Sequence, residues 1–381
     1  MNKPPLSLYC HVPWCVEKCP YCDFNSFKKS SSDDTHQYTQ AICKDIAESA
    51  KLAENREIIS IFIGGGTPSL FPAQHISQIM DTIRSSFHCT ADCEVTIEMN
   101  PSSFESAKMK YWKQCGINRV SIGVQSFDNK ALGQLGRTHC RTEAEQSIQA
   151  ALDMEFDQVN IDIMYGLPEQ SVSEAMADLK QAISYKTSHL SWYELTIEPG
   201  TLFAKQPPKR PNDEILHDMD DEGQKILFDS HLQQYEISAY AATNSRCRHN
   251  LNYWQFGDYI GCGNGSSTKI TTAEGIKRYQ RYRNPALYQE SPTHRCVEHW
   301  VDSSQQLFEF MLNHLRLDDP IKIASICERT QLSKSEIEAQ CRTALEENMI
   351  EMTSQIIQKT AHGSRYLNNL QALFLNKSTS C

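Results

Sequence analysis

From Leu6 to Leu195 the chain alternates short apolar runs with longer amphipathic stretches. The runs are Leu6-Ser-Leu-Tyr-Cys10, Ile58-Ile-Ser-Ile-Phe-Ile63, Glu94-Val-Thr-Ile-Glu98, Arg119-Val-Ser-Ile-Gly-Val124, Gln158-Val-Asn-Ile-Asp-Ile163 and His189-Leu-Ser-Trp-Tyr-Glu-Leu195. Each reads as a strand. Ile58–Ile63 is continuously apolar, as expected of a strand buried on both faces. Helices are predicted between them, over residues 35–55 (capped by Asp34), 73–87, 104–115, 143–154 and 172–185. Strands alternating with helices imply right-handed βαβ units and a parallel sheet. Six units are too few for a closed eightfold barrel. The predicted fold class is therefore α/β, a partial (β/α)6 barrel, with a doubly wound open sheet as the alternative.

Beyond Leu195 the pattern changes. Pro199-Gly200 and Pro207–Pro211 break the chain, a helix is predicted over residues 213–234, and Tyr235–Tyr240 reads as a strand. Residues 246–269, rich in aromatics and glycine, read as an ordered, non-helical region over the sheet. From Cys296 the periodicity is helical: residues 304–315, 321–331 and 334–348, then strand-like pieces at 349–353 and 356–359, then a helix over 364–375. Helices closed by a small hairpin suggest a mainly helical, winged-helix-like domain. The expected division is 1–200 for the barrel core, 201–295 for an extension, and 296–381 for the C-terminal domain.

Composition narrows the function. A net charge of −10 argues against a general nucleic-acid binder. The winged-helix-like segment carries 8 Lys/Arg against 11 Asp/Glu, so DNA contact is not expected there either. The 15 cysteines are scattered without the spacing of a disulfide framework. Lys3 followed by Pro4-Pro5 lacks the apolar stretch of a signal peptide, and no run approaches the ~18 apolar residues of a membrane span. These features predict a cytoplasmic protein with reduced thiols and no membrane association.

The chemistry begins at Cys15, Cys19 and Cys22, spaced CxxxCxxC directly after the first strand. Three thiolates on one loop suit three corners of a 4Fe–4S cube and leave one iron open. Zinc is the competing reading. It prefers four ligands in paired CxxC units; His11, the nearest fourth, points elsewhere along its strand, and Cys10 reads as a buried strand residue. Gly64-Gly-Gly-Thr-Pro68 lacks the P-loop pattern but allows close backbone approach to a ligand. Gly261-Cys-Gly-Asn-Gly265 leads into a strand-like Lys269-Ile-Thr-Thr and reads as a bend rather than a dinucleotide site. Glu98 and Asp162 are either buried acids paired with Arg137 or Arg119, or ligand contacts. The cysteine loop, Gly64–Pro68, Glu98, Gln125 and Asp162 all fall at or just before the C-terminal ends of five strands, where α/β chemistry gathers. His249-Asn-Leu-Asn-Tyr-Trp254 follows Arg246-Cys-Arg248. An imidazole can ligate haem and arginines can match propionates, although most loop histidines do neither.

Tyr9-Cys-His-Val-Pro-Trp-Cys15, Phe62–Ser69, Ser121–Phe127, Asn160–Pro168, Leu195–Thr201 and His249–Trp254 together resemble the HemW family of haem chaperones. That family lies in the radical S-adenosylmethionine (SAM) superfamily and is related to the oxygen-independent coproporphyrinogen III dehydrogenases. The resemblance covers essentially the whole chain. It implies that Cys15, Cys19 and Cys22 hold a 4Fe–4S cluster whose open iron is chelated by SAM, and that an electron from the reduced cluster can cleave SAM to a 5′-deoxyadenosyl radical. It implies further that Tyr9 and Tyr21 lie beside cluster and SAM. Gly65, Gly66 and Thr67 would meet the methionine end. Glu98, Gln125, Arg137 and Asp162 would line nucleoside and carboxylate contacts, and His249 would bind haem. The dehydrogenases carry a further cysteine two residues after the third ligand. Phe24 stands there in this chain, which favours a haem chaperone over a decarboxylating enzyme. The implied partners are haem, a haem-acceptor protein, an electron donor where SAM is cleaved, and a second copy in a homodimer. One departure stands out. The family's Gly-x-Gly-Ala-Gly-Ala-His-Gly-Lys is Gly261-Cys-Gly-Asn-Gly-Ser-Ser-Thr-Lys269 here, which places Ser267 at the histidine position.

Overall fold

Along the first strand, Leu6, Leu8, Cys10 and Val12 alternate with Ser7, Tyr9 and His11, and the two sets face opposite sides of the sheet. The apolar set joins the main hydrophobic core with Ile42, Ile61, Ile63 and Ile79. The polar set faces the barrel interior, where Ser7 Oγ lies 2.7 Å from Ser60 Oγ of the next strand. This alternation repeats around the sheet in a computed structural model that describes residues 3–102 and 106–375.

Strands β1 (Leu6–Val12), β2 (Ile58–Gly65), β3 (Cys89–Met99), β4 (Arg119–Gln125), β5 (Gln158–Tyr165) and β6 (His189–Glu194) lie side by side in chain order, every pair parallel. A doubly wound sheet would reverse that order at a switch point; the partial-barrel expectation holds. Residues 233–300 add six strands to the same sheet. β7 (Gln233–Glu236) and β8 (Ala239–Ala241) form an antiparallel hairpin on β6. β9 (Asp258–Cys262) pairs parallel with the free side of β1. β10 (Ser267–Thr271), β11 (Ile276–Gln280) and β12 (Val297–Trp300) continue antiparallel from β9. The twelve strands make one open sheet, with the cysteine-bearing β1 well inside it.

Two buried carboxylates lock β9 and its flank in place. Asp258 accepts hydrogen bonds from Arg56 Nη1 (2.7 Å), Lys269 Nζ (3.1 Å), Thr271 N (2.9 Å) and Thr271 Oγ1 (2.8 Å). Asp45, on helix Thr35–Ser49, accepts from Arg281 Nη2 (2.5 Å), Tyr288 Oη (2.9 Å) and Gly263 N (3.1 Å). Each carboxylate is fully buried, and each is satisfied by hydrogen bonds as well as by a cation, as a buried charge requires.

A second core, built from Phe256, Leu307, Phe310, Ile326, Ile337, Ile357 and Leu370, underlies the C-terminal segment. Helices Ile323–Thr330 and Lys334–Glu346 sit beside a three-stranded sheet of β13 (Ile321–Lys322), β14 (Ile350–Met352) and β15 (Ile356–Lys359). No helix among the described residues is long and apolar enough to cross a membrane.

The structure corrects several local expectations. Residues 246–269 are not free of helix: Arg248–Trp254 is a helix. The helix over 213–234 stops at Asp229, and the single strand at 235–240 is the β7–β8 hairpin. The helix over 364–375 is two short pieces, Ala361–Arg365 and Leu367–Ala372. The helix over 104–115 is described as Met109–Gln114, and its predicted start falls partly outside the described residues. Asp34 caps Thr35–Ser49 as expected, accepting from His36 N and Gln37 N.

Helix Asp213–Asp229 crosses the β6 residue Trp192 at Gly223, where a Cβ would overlap the indole. Alanine normally favours a helix by up to ~1 kcal/mol over glycine. Here overpacking reverses the sign: Gly223→Ala lowers stability by about 1–3 kcal/mol, measurable as a reduced midpoint in denaturant unfolding.

Candidate functional site

Past Val12 the chain turns through Pro13 and Trp14 into the cysteine loop. Trp14 is buried, stacked on Phe71 at 5.6 Å and edge-on to Tyr38 at 5.1 Å. The loop returns at Phe27–Lys28, which pairs with Trp14–Cys15; Phe27 N donates to Pro13 O (2.8 Å) and Lys29 N to Cys15 O (2.8 Å). Lys18 Nζ bonds the carbonyls of Phe24 and Ser26, at 3.0 Å each. The loop is thus tied at its base and across its middle.

The end of β2 clamps that base. Gly66 N donates to Val12 O (2.6 Å) and Thr67 N to Trp14 O (2.8 Å). A Cβ on Gly66 would lie 2.6 Å from Trp14 O and 2.8 Å from the Pro13 carbonyl carbon. Gly65 has φ +112°, and a Cβ there would overlap the His11 ring. Bare backbone at both positions is first a demand of the chain itself.

Cys15, Cys19 and Cys22 line one cavity of about 450 Å³ together with Tyr21, Gly65, Gly66, Thr67, Glu98, Gln125, Arg137 and Asp162. Eight of the nine positions expected around SAM are therefore brought to the cysteines. All three thiols are free and half-buried. Three thiolates on one loop suit three corners of a 4Fe–4S cube, whereas zinc takes four ligands in paired CxxC units. Cys22 Sγ is 3.6 Å from Ser26 Oγ, and Arg137 Nη1 is 3.7 Å from Cys19 Sγ.

Arg137 is fixed by Asn100 Oδ1 (2.7 Å) and Gly123 O (2.6 Å). Asn100 Nδ2 in turn donates to Thr67 Oγ1 (2.9 Å), joining the ends of β2, β3 and β4. The expected pairing of the two acids with Arg137 or Arg119 is not what the structure holds. Glu98 Oε2 accepts from Gly65 N (3.0 Å), and Asp162 accepts from Asn160 Nδ2 (2.8 Å) and Ser121 Oγ (3.1 Å). Without a contacting cation, burial pushes Glu98 up to about 7 and also raises Asp162. Gln125 sits at φ +70°, and its Oε1 accepts from Tyr193 Oη at 2.7 Å.

Tyr9 is the exception. It lines a second cavity, of about 510 Å³, together with His11, His249, Asn252, Tyr253, Tyr259, Ser267 and Arg278. His11 lies 3.0 Å from Tyr9 Oη and 3.0 Å from Asn25 O. Phe24, Gly65 and Glu98 line both cavities and form the wall between them. Phe24 is 59% exposed and lines both cavities, so its ring stands at a shared mouth.

His249 enters this second cavity from the first turn of helix Arg248–Trp254. The buried Glu94 of β3 starts that helix by accepting from Arg248 N (3.0 Å) and His249 N (3.1 Å). The His249 ring lies 5.0 Å from Phe62, with Nδ1 3.3 Å from Ser60 Oγ. Burial and the nearby Arg119 lower it to about 3, which keeps the imidazole neutral, the form that ligates metals. The arginines beside it do not join: Arg246 pairs with Asp319 and Arg248 with Asp92.

Sequence reasoning also missed a buried chain between the two sites. Cys247 N donates to Tyr235 Oη (3.2 Å), which lies 2.8 Å from His189 Nε2. His189 Nδ1 lies 2.6 Å from Asn160 Oδ1, and Asn160 Nδ2 donates to Asp162. Only the polar residues inside apolar runs hinted at it.

A model of the radical SAM superfamily matches residues 9–182, and one of the HemN C-terminal domain matches residues 301–366. The heme chaperone HemW of Escherichia coli (strain K12) is 41% identical over 98% of each chain. That of Haemophilus influenzae is 40% identical over 98% of this chain and 99% of its own. The chain belongs to the HemW family. The solved structure of coproporphyrinogen III oxidase (HemN) from Escherichia coli covers 98% of this chain and 91% of its own. Its TM-score of 0.83 at 21% identity shows that this chain shares the HemN fold, C-terminal domain included. At the mouth common to both cavities, this HemW-family chain presents a phenyl ring.

Glu98 makes a pH-dependent contribution with a definite sign. Its carboxyl is protonated in the folded state up to about pH 7, whereas the unfolded chain releases that proton near 4.5. Stability contributed by this group is full below the lower value and is lost as pH rises through the higher. Chemical denaturation of the reduced, cluster-free protein should show Glu98→Gln gaining about 2–3 kcal/mol on wild type between pH 5 and pH 8. An equal difference at both pH values contradicts the assignment.

Proposed function

We propose that the chain is a haem chaperone: it carries a 4Fe–4S cluster on Cys15, Cys19 and Cys22, binds SAM in the adjoining cavity, holds haem through His249 and hands it to an acceptor protein. The observation that carries this reading is the abutment of the two cavities. The His249 cavity and the cysteine cavity share only Phe24, Gly65 and Glu98 of the residues named at the site. Membership of the HemW family, whose relatives are named heme chaperones, points the same way.

A bound, reduced cluster supplies the electron that SAM chemistry requires. The residues do the rest by binding and orientation. The N–H groups of Gly65, Gly66 and Thr67 are already spent on Glu98, Val12 and Trp14, so this segment offers a ligand carbonyl oxygens, with no side chain at its two glycines. Those acceptors suit the amino group of a methionine moiety. Arg137, held by Asn100 and Gly123, is the cation for a carboxylate. Glu98, Gln125 and Asp162 offer acceptors to a ribose or an adenine, and Tyr21 packs beside the cysteines. Phe24 supplies no thiol at the shared mouth. The reduced cysteines and the acidic surface fit work in the cytoplasm, with a homodimer and an electron donor as the expected company.

Anaerobically reconstituted protein should take up haem with a Soret band, and His249→Ala should weaken binding at least tenfold. With SAM, reductant and coproporphyrinogen III it should yield no protoporphyrinogen IX. Turnover of the porphyrinogen, or haem binding indifferent to His249→Ala, contradicts the reading.

A further inference from the structure

The residues of the second cavity are ordered by chemistry along its length. His249 and Tyr253 stand one turn apart on the same face of helix Arg248–Trp254. The Tyr253 ring lies 5.2 Å from that of Tyr259, and Tyr259 Oη accepts from Arg278 Nη1 at 3.0 Å. An imidazole, two phenol rings and a guanidinium thus follow one another down a single cavity. A flat macrocycle with anionic groups on one edge matches that order. The two arginines closest to His249 in sequence are paired elsewhere, so Arg278 is the cation this cavity offers among the residues that line it.

We propose that Arg278 receives a propionate carboxylate of haem ligated by His249, so that the second cavity recognises the porphyrin by its acidic edge as well as by its iron. This deepens the haem-chaperone reading and rests on it. Arg278 is held from behind by Glu309 of helix Ser303–His314, which accepts from Nε (3.1 Å) and Nη2 (2.7 Å). With Tyr259 on Nη1, three of the five guanidinium N–H bonds are used, leaving one on each terminal nitrogen for a second, forked partner. Glu309 offsets part of the positive charge, so the selectivity comes from aimed hydrogen bonds more than from net charge. The guanidinium is largely withdrawn from solvent, with 22% of the side chain exposed, which strengthens such a bond. Ser267, on the strand next to that of Arg278, lines the same cavity with a short hydroxyl in place of the family histidine.

The test compares haem with its dimethyl ester, in which both propionates are blocked, by titration into cluster-loaded full-length protein. Wild type should bind haem about tenfold or more tighter than the ester. Arg278→Ala should lose that preference by weakening haem alone, with the Soret position unchanged. Arg278→Lys, which keeps the charge and most of the packing but not the fork, should retain an intermediate preference. His249→Ala should weaken both ligands and shift the Soret band. Equal binding of haem and ester by wild type, or equal loss of both in the Arg278 variants, overturns the proposal. If His249→Ala changes neither ligand while Arg278→Ala still abolishes the preference, the iron-ligand assignment fails and the propionate contact stands. If wild type binds no haem, both fall.

Discussion

The site depends on one close approach. Gly66 N–H reaches the Val12 carbonyl at 2.6 Å, and Thr67 N–H reaches that of Trp14 at 2.8 Å. Side-chain-free backbone at Gly65 and Gly66 is what permits it. Those two bonds fix where the cysteine loop leaves the sheet. Through Gly65 N–H they also fix the orientation of Glu98, the acid common to both cavities. Adding a single methyl at Gly66 displaces the root of the loop, and every thiol position follows from that root. A small error in backbone placement is costly because cofactor geometry tolerates little slack.

The interior of this barrel differs from that of a closed eight-stranded one, where layers of branched apolar side chains fill the middle. Six strands leave room, and the room is lined with Ser7, Ser60, Glu98, Ser121, Asn160, Asp162 and His189. Such groups are tolerated when each finds a partner. The donors and acceptors from Cys247 N–H through Tyr235, His189 and Asn160 to Asp162 all point one way. The polar middle therefore serves two ends: it satisfies buried groups, and it ties the segment bearing His249 to the wall of the cysteine cavity.

The six strands were legible because each outward face is apolar and each run is bounded by turn residues. The cavity was legible because most of its residues fall at strand ends, so that one topological rule gathers Cys15, Thr67, Glu98, Gln125 and Asp162 without knowledge of any contact; Arg137, beyond a helix, came only through the family resemblance. What escaped was long-range. Residues 248–254, with two asparagines and two bulky aromatics, have little helical propensity. Their helix is set by Glu94, 154 residues away, and by Asn252, whose Nδ2 bonds Ser7 Oγ and Asp258 O. The β7–β8 hairpin hid inside one apolar run because its turn at Ile237-Ser238 lacks glycine or proline. Glu98 and Asp162 invited a pairing with arginine because charges in strands usually need one. Backbone and side-chain donors met the need instead. Arg278 gave no signal, since an arginine in an edge-like strand looks like solvent-facing decoration until the opposite wall is in place.

The placement of β9 has a consequence for how the molecule comes into being. β1 is made before its partner β2, which follows within fifty or so residues, yet its other edge stays bare until Asp258–Cys262 has been made. An unpaired parallel edge next to a loop of three thiols is a liability for aggregation and for premature oxidation. Closure waits on contacts of very long sequence separation, which form slowly. The Asp258 and Asp45 clusters complete themselves only when residues 263–288 arrive. The second cavity, which needs β9, β11 and the 248–254 helix together, is therefore finished late, after the cysteine-bearing half of the barrel already exists.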